Sequence, residues 1–286
     1  MQRLRQFSIL FFILALSVFL TYTVYTIMNT DKDGPKITMK NDYLKISVED
    51  PEKALLAGVQ AKDAKDGDVS DTLIVESISN FTNKGRRIVS YAAFDRDWNI
   101  SKATREIEYT DYTSPQFVMK SPPRFSVKEL SNTTDYSELI QAKDCLDGDI
   151  SKMIYITSLD EYEETHYGGK MDMEFQVSNS AGDVATIPIT VAFNEVGAPL
   201  VNLTSYVVYV KKGETFDPNE FIKTVQVGEK QYTTTEFHDE FEDESLIVKN
   251  GVNINEEGFY QVTYTVTVSQ NGRTPGSIAY LEVVVY

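Results

Sequence analysis

Six aspartates at one repeated spacing are the residues of this chain best suited to chemistry: Asp63, Asp66 and Asp68, then Asp144, Asp147 and Asp149. In each set the carboxylates bracket a glycine, Gly67 or Gly148. Oxygens so grouped could serve Ca²⁺, which takes about six to eight of them at about 2.3–2.6 Å. The same spacing suits a tight Asx turn, in which Asp side chains accept backbone N–H groups and glycine takes positive φ. The element is shorter than an EF-hand loop and lacks its closing bidentate Glu. Both readings stand at this level, and Ca²⁺ is the one cofactor suggested.

Other candidates carry less. Each of the two histidines lies in an acidic stretch, His166 in 160–166 and His238 in 236–244. A lone imidazole among carboxylates falls short of the four ligands of structural zinc sites, so both stretches read as solvated loops. Trp98 falls on an expected hairpin turn, where an aromatic tip could anchor a partner such as a sugar ring or pack on a neighbouring module. Cys145 occupies the place that Ala64 holds in the first Asp set, which reads as a small, half-buried filler. With no nucleophile motif and no phosphate loop, no catalytic residue is assigned and an enzyme is not expected.

Around these residues, positions 61–70 return almost unchanged at 142–151. A recurrence at this interval marks an array of similar modules. Pro35, Pro115 and Pro199 each precede a short strand pattern at matching intervals, which predicts modules over 35–112, 113–196 and 197–286. Strand patterns are found at 37–39, 44–48, 87–93 and 102–109, at 116–119, 125–128, 171–178 and 184–193, and at 206–210, 259–269 and 277–286. Alternation such as Tyr260, Val262, Tyr264, Val266 and Val268 is the period-2 sign of a strand with one buried face. The expectation is all-β, three tandem immunoglobulin-like β-sandwiches joined by short hinges into an elongated rod.

Residues 7–28 hold no charged side chain, and as a helix would be about 33 Å long, enough to cross a bilayer. Arg3 and Arg5 precede this run, which predicts a cytoplasmic stub at 1–6, a single-pass anchor, a linker at 29–34 and an external C-terminal region. A cleaved signal peptide is the rival reading, but the run outlasts a usual apolar core and has no Ala-x-Ala-like step. Beyond it stand 25 basic and 43 acidic residues, or −18, a surface that repels nucleic acid. The single cysteine excludes an internal disulfide, so the modules rest on burial alone, which suits a bacterial exported protein. Asn-x-Ser/Thr sequons at Asn80, Asn99, Asn132 and Asn202 are then coincidental.

Ala-x-Asp-x-x-Asp-Gly-Asp-[Val/Ile]-Ser, followed by strand-and-turn text such as 177–185 and 91–97, resembles the bacterial surface-protein immunoglobulin-like domain. The third module departs, keeping the late strand pattern at 257–264 but no Asp-Gly-Asp. The resemblance implies tandem modules of Gram-positive surface proteins. It leads to an expected cell-membrane protein whose modules act as stalk and binding or adhesion surface, toward an extracellular protein or glycan. The alternatives are a structural subunit of an envelope assembly and a cation-dependent sensor or enzyme.

Overall fold

The computed structural model describes residues 2–30, 32–83, 85–126, 139–241, 245–269 and 272–286. Asp31 of the linker, Asn132, residues 127–128 of one expected strand and residues 242–244 of the second acidic stretch lie outside them.

Helix α1 (Gln2–Asn29) takes in the apolar run and most of the stub before it. The hydroxyls of Thr21, Thr23 and Thr26 each donate to the carbonyl four residues back, at 2.7–2.8 Å. Polar side chains that bond their own helix in this way need no water.

The first sheet pair comprises β1 (Lys36–Met39), β2 (Tyr43–Ile46), β3 (Val59–Asp63), β4 (Gly67–Asp68), β5 (Ile74–Ile78), β6 (Arg86–Phe94) and β7 (Ile100–Tyr109). One sheet runs β1-β3-β4 and the other β2-β7-β6-β5, with β2 parallel to β7. Side chains from both sheets, including Val59, Ala61, Val89, Tyr91 and Ile107, fill the core between them. Arg105 is buried there, donating to the Tyr91 hydroxyl at 3.0 Å and the Ala57 carbonyl at 2.8 Å.

The second pair repeats the plan with β8 (Gln116–Val118), β9 (Arg124–Ser126), β10 (Gln141–Asp144), β11 (Gly148–Asp149), β12 (Tyr155–Leu159), β13 (Glu163–Thr165), β14 (Gly168–Ser178) and β15 (Val184–Asn194). The order β11-β10-β8 faces β12-β14-β15-β9, and β9 is parallel to β15. Even the bulge recurs, between Val75 and Ser77 and again between Ile156 and Ser158. The first acidic stretch is therefore partly strand, since β13 pairs with β14.

The third pair holds β16 (Leu200–Leu203), β17 (Val207–Val210), β18 (Ile222–Val227), β19 (Lys230–Tyr232), helix α2 (Thr234–Glu240), β20 (Leu246–Asn250), β21 (Gly258–Thr267) and β22 (Gly276–Val285). Its sheets run β16-β18-β19 and β17-β22-β21-β20, with β17 parallel to β22. The turn at Gly228 joins β18 to β19 where the Asp turns join β3 to β4 and β10 to β11, so the topology survives without the motif. Residues 236–240 of the second acidic stretch are helix rather than loop. Thr233 and Glu236 form a capping box for α2, and Phe237 is wholly buried. Seven residues would not hold a helix alone, and burying Phe237 supplies roughly 2–3 kcal/mol.

The chain divides into two compact units, Met1–Asp111 and Tyr112–Tyr286. Within the second, one continuous apolar cluster runs from Phe117 to Val285, so the second and third sheet pairs share a core. The Thr190 N–H and Gln261 amide both donate to the buried Glu282 carboxyl at 3.0 Å. Arg124 reaches the Val201 carbonyl at 3.1 Å and Asn202 at 2.6 Å. A rod of separately packed modules does not describe this part of the chain. The outer faces of β15 and β22 are buried against each other, and a sheet with two apolar faces needs a second partner.

Candidate functional site

The two Asp sets form the same turn twice. Asp63 Oδ1 accepts the N–H groups of Lys65 and Asp66 at 2.7 and 2.8 Å, and Asp144 Oδ1 those of Leu146 and Asp147 at 2.8 and 3.0 Å. Asp68 and Asp149 each accept the N–H of the serine two residues on at 3.0 Å. Those serines, Ser70 and Ser151, accept in turn from Ala61 and Ala142 at 3.0 and 3.1 Å. Gly67 and Gly148 have φ of 81° and 74°, a region open to glycine at little cost.

The middle aspartate of each set bridges to another loop. Asp66 accepts the Arg96 N–H at 3.0 Å, and Asp147 the Ser180 N–H at 2.6 Å and the Ser180 hydroxyl at 2.7 Å. Donors favour the charged forms of Asp63, Asp68 and Asp149. The Asp66 and Lys65 N–H groups lower the Asp63 pKa, and the Ser70 and Ser151 hydroxyls, followed by their N–H groups, lower those of Asp68 and Asp149. The six oxygens-bearing side chains are thus directed to separate backbone donors. Among the described residues no group of three or more His, Cys, Asp or Glu side chains is placed to hold a metal ion. This is the geometry of an Asx turn.

What the turns brace is a hairpin tip. Residues 95–99 join β6 to β7, and residues 179–183 join β14 to β15. In the first tip Asp95 Oδ1 accepts the Asn99 N–H at 2.8 Å, and in the second Asn179 Oδ1 accepts the Asp183 N–H at 2.9 Å. Gly182 takes φ of 79° in the second tip; the equivalent residue of the first is Trp98, at φ 67°. Left-handed backbone costs a bulky residue about 1–2 kcal/mol. Trp98 is 74% exposed and stacks on Phe94, with centroids 5.1 Å apart and planes 10° from parallel.

The second tip is covered by its own incoming chain. The Tyr112 hydroxyl donates to Asp183 at 2.7 Å and accepts from Asn179 at 2.8 Å; burial, then the Asp183 carboxylate, raises its pKa far above the ordinary phenol. Cys145 is exposed rather than half-buried, its thiol donating to the Thr113 carbonyl at 3.1 Å. Tyr112 and the bracing role of Asp66 and Asp147 were not foreseen from sequence. Aligning the two tips at their 84-residue offset would have shown a tryptophan in a glycine's place.

The sequons are partly engaged: Asn99 donates to Asp95 at 2.7 Å, and Asn202 accepts from Arg124. An open cleft of about 590 Å³ in the second unit is lined by His166, Tyr167, Glu195 and Arg273 among others. Among the described residues of that lining, Glu195 is the one carboxylate.

No family model matches the chain. Over 141 residues it is 29% identical to the uncharacterized 81.3 kDa protein of Acholeplasma phage L2, a match that covers 48% of this chain and 18% of the phage protein. Among solved structures it is similar to the CBM51-2 and INT domains of Clostridium perfringens ZmpB, in complex with GlcNAc. That likeness has 18% identity and a TM-score of 0.22, over 59% of this chain and 30% of that one. It is also similar to protocadherin gamma B2 extracellular cadherin domains 1–5, with 10% identity and a TM-score of 0.20 over 90% and 61% of the two chains. At these scores the likenesses do not bear on function.

Proposed function

We propose that this is a membrane-anchored bacterial cell-surface protein whose tandem immunoglobulin-like modules act as a stalk and a binding surface for an extracellular protein or glycan. The observation that carries the reading is the helix stretch Arg5–Met28, whose apolar window buries nothing inside the protein. A window this apolar, with none of it buried inside the protein, calls for an apolar phase of its own. Basic Arg3 and Arg5 at its start support an outer side for the sheet-bearing units. The resemblance of the Asp-Gly-Asp stretches to bacterial surface-protein immunoglobulin-like domains supports the display role, and the braced tips give each of the first two sheet pairs a rigid loop end.

Protease shaving of intact bacterial cells making the full chain tests this. The expected result is loss of the sheet-bearing fragment from whole cells, together with an intact mass in the membrane fraction that retains residues 7–28. A soluble, released product that begins after residue 28 overturns the anchor.

A further inference from the structure

We propose that the β6–β7 tip of the first sheet pair, through Trp98 and Ile100, rests in the headgroup layer of the bilayer that holds α1. The inference builds on the retained anchor and adds a lipid partner for a named pair of side chains. Trp98 is an unusual residue for its backbone: it occupies a left-handed position that its counterpart fills with Gly182, and it is 74% exposed. A side chain that strains the turn and buries little of itself is not there for the fold. Ile100, two residues on, is 63% exposed, so the tip and the start of β7 each present a large apolar group to solvent.

Their place in the first unit says which surface they meet. Gly34, the last residue of the linker, lies so close to the start of β7 that a Cβ on it would come 3.2 Å from the Ile100 carbonyl group and 2.6 Å from Ser101 Oγ. The chain therefore enters this sheet pair beside the tip. It leaves at the other end, because β7 runs away from Ile100 to Tyr109. Five steps of chain separate Asn29 from Gly34, a reach of at most about 18 Å. The headgroup layer is itself roughly 5–8 Å thick on each side. A tip tethered this closely meets the membrane surface continually, at a high effective concentration.

The chemistry matches that surface. Indole belongs at the boundary between hydrocarbon and water, where its ring is in apolar surroundings and its N–H is wet. Phe94 backs one face of the ring. Arg96, in the same tip, pairs with Asp66 at 3.9 Å yet keeps its side chain 86% exposed, within reach of lipid phosphate. In the second unit the equivalent tip has no such apolar pair: Gly182 replaces the tryptophan, and Tyr112, from the incoming chain, is hydrogen-bonded across it. The position that aligns with Tyr112 in the first module is the exposed Lys32, which adds a cation on the membrane side.

Trp98 is the only tryptophan in the protein, so its emission reports this contact alone. The full chain is reconstituted into phosphatidylcholine–phosphatidylglycerol vesicles containing brominated lipid, with bromine placed either shallow or deep. The expected result is flotation with the vesicles and stronger quenching by the shallow bromines. Ile100→Lys, at an exposed site that leaves the core intact, should lower the quenching roughly twofold or more while near-ultraviolet dichroism is unchanged. Protein that floats but shows no bromine quenching, or that shifts its emission only when a soluble oligosaccharide is added, overturns the bilayer contact and leaves the anchor standing. Protein that does not float overturns both.

Discussion

Asp144 shows what the acidic motif contributes at the scale of a residue. It is buried, and its two oxygens accept from Leu146, Asp147 and the Asn179 amide, which lies 3.1 Å away. Removing such an acceptor strands donors that have no water to turn to. Asp144→Ala is therefore expected to lower the unfolding free energy of the second unit by about 3 kcal/mol, read from its urea midpoint. A chelator should leave the same midpoint of the unaltered chain where it was. A chelator-induced drop would restore the Ca²⁺ reading, since cation removal has no lever on a turn built from N–H donors.

At the scale of elements, the packing of β15 against β22 places Glu282 in an apolar setting. Burial raises its pKa to about 7, against the opposing effect of the Thr190 N–H and Gln261 amide that favour the charged form. An acid whose folded pKa lies above its unfolded value binds more proton when native. Its contribution to stability is complete below about 4.5 and is lost as pH rises through about 7. Chemical denaturation across that window should show the second unit losing roughly 3 kcal/mol toward the alkaline side. Glu282→Gln should flatten this slope, because a neutral amide keeps the donors satisfied at every pH. An unchanged slope in the variant would assign the pH dependence to other groups.

At the scale of the molecule, the division at residues 111 and 112 and the shared core beyond it set what can fold by itself. Residues 112–286 expressed alone should melt in one cooperative transition. Residues 197–286 alone should be insoluble or poorly structured, since the cut exposes the face of β22 that β15 covers. Two well-separated transitions in the larger fragment would refute a common core. Everything after α1 is held by burial without an internal disulfide, since Cys145 is the single cysteine.

Much of the fold is legible in the sequence. Alternation of apolar residues located the long strands β6, β7, β14, β15, β21 and β22 nearly to their ends, because a half-buried strand leaves a period-2 trace that neighbours cannot erase. The repeated Asp-Gly-Asp spacing marked the turns, since positive φ at a tight bend leaves glycine as the low-cost choice. The apolar run announced its helix by length alone. Other features depended on partners distant in the chain. Helix α2 was hidden inside an acidic stretch, although Thr233 and Glu236 already spelled its cap; its stability rests on where Phe237 is buried. The ionic state of Glu282, the bridge from Asp66 to Arg96 and the fusion of the last two sheet pairs are set by atoms brought together from 30 to more than 90 residues apart. Local pattern determines which segments become strands, turns and a membrane-length helix, because those are near-neighbour energetics. Which faces meet, and therefore which groups lose water, is decided only when the sheets close on one another.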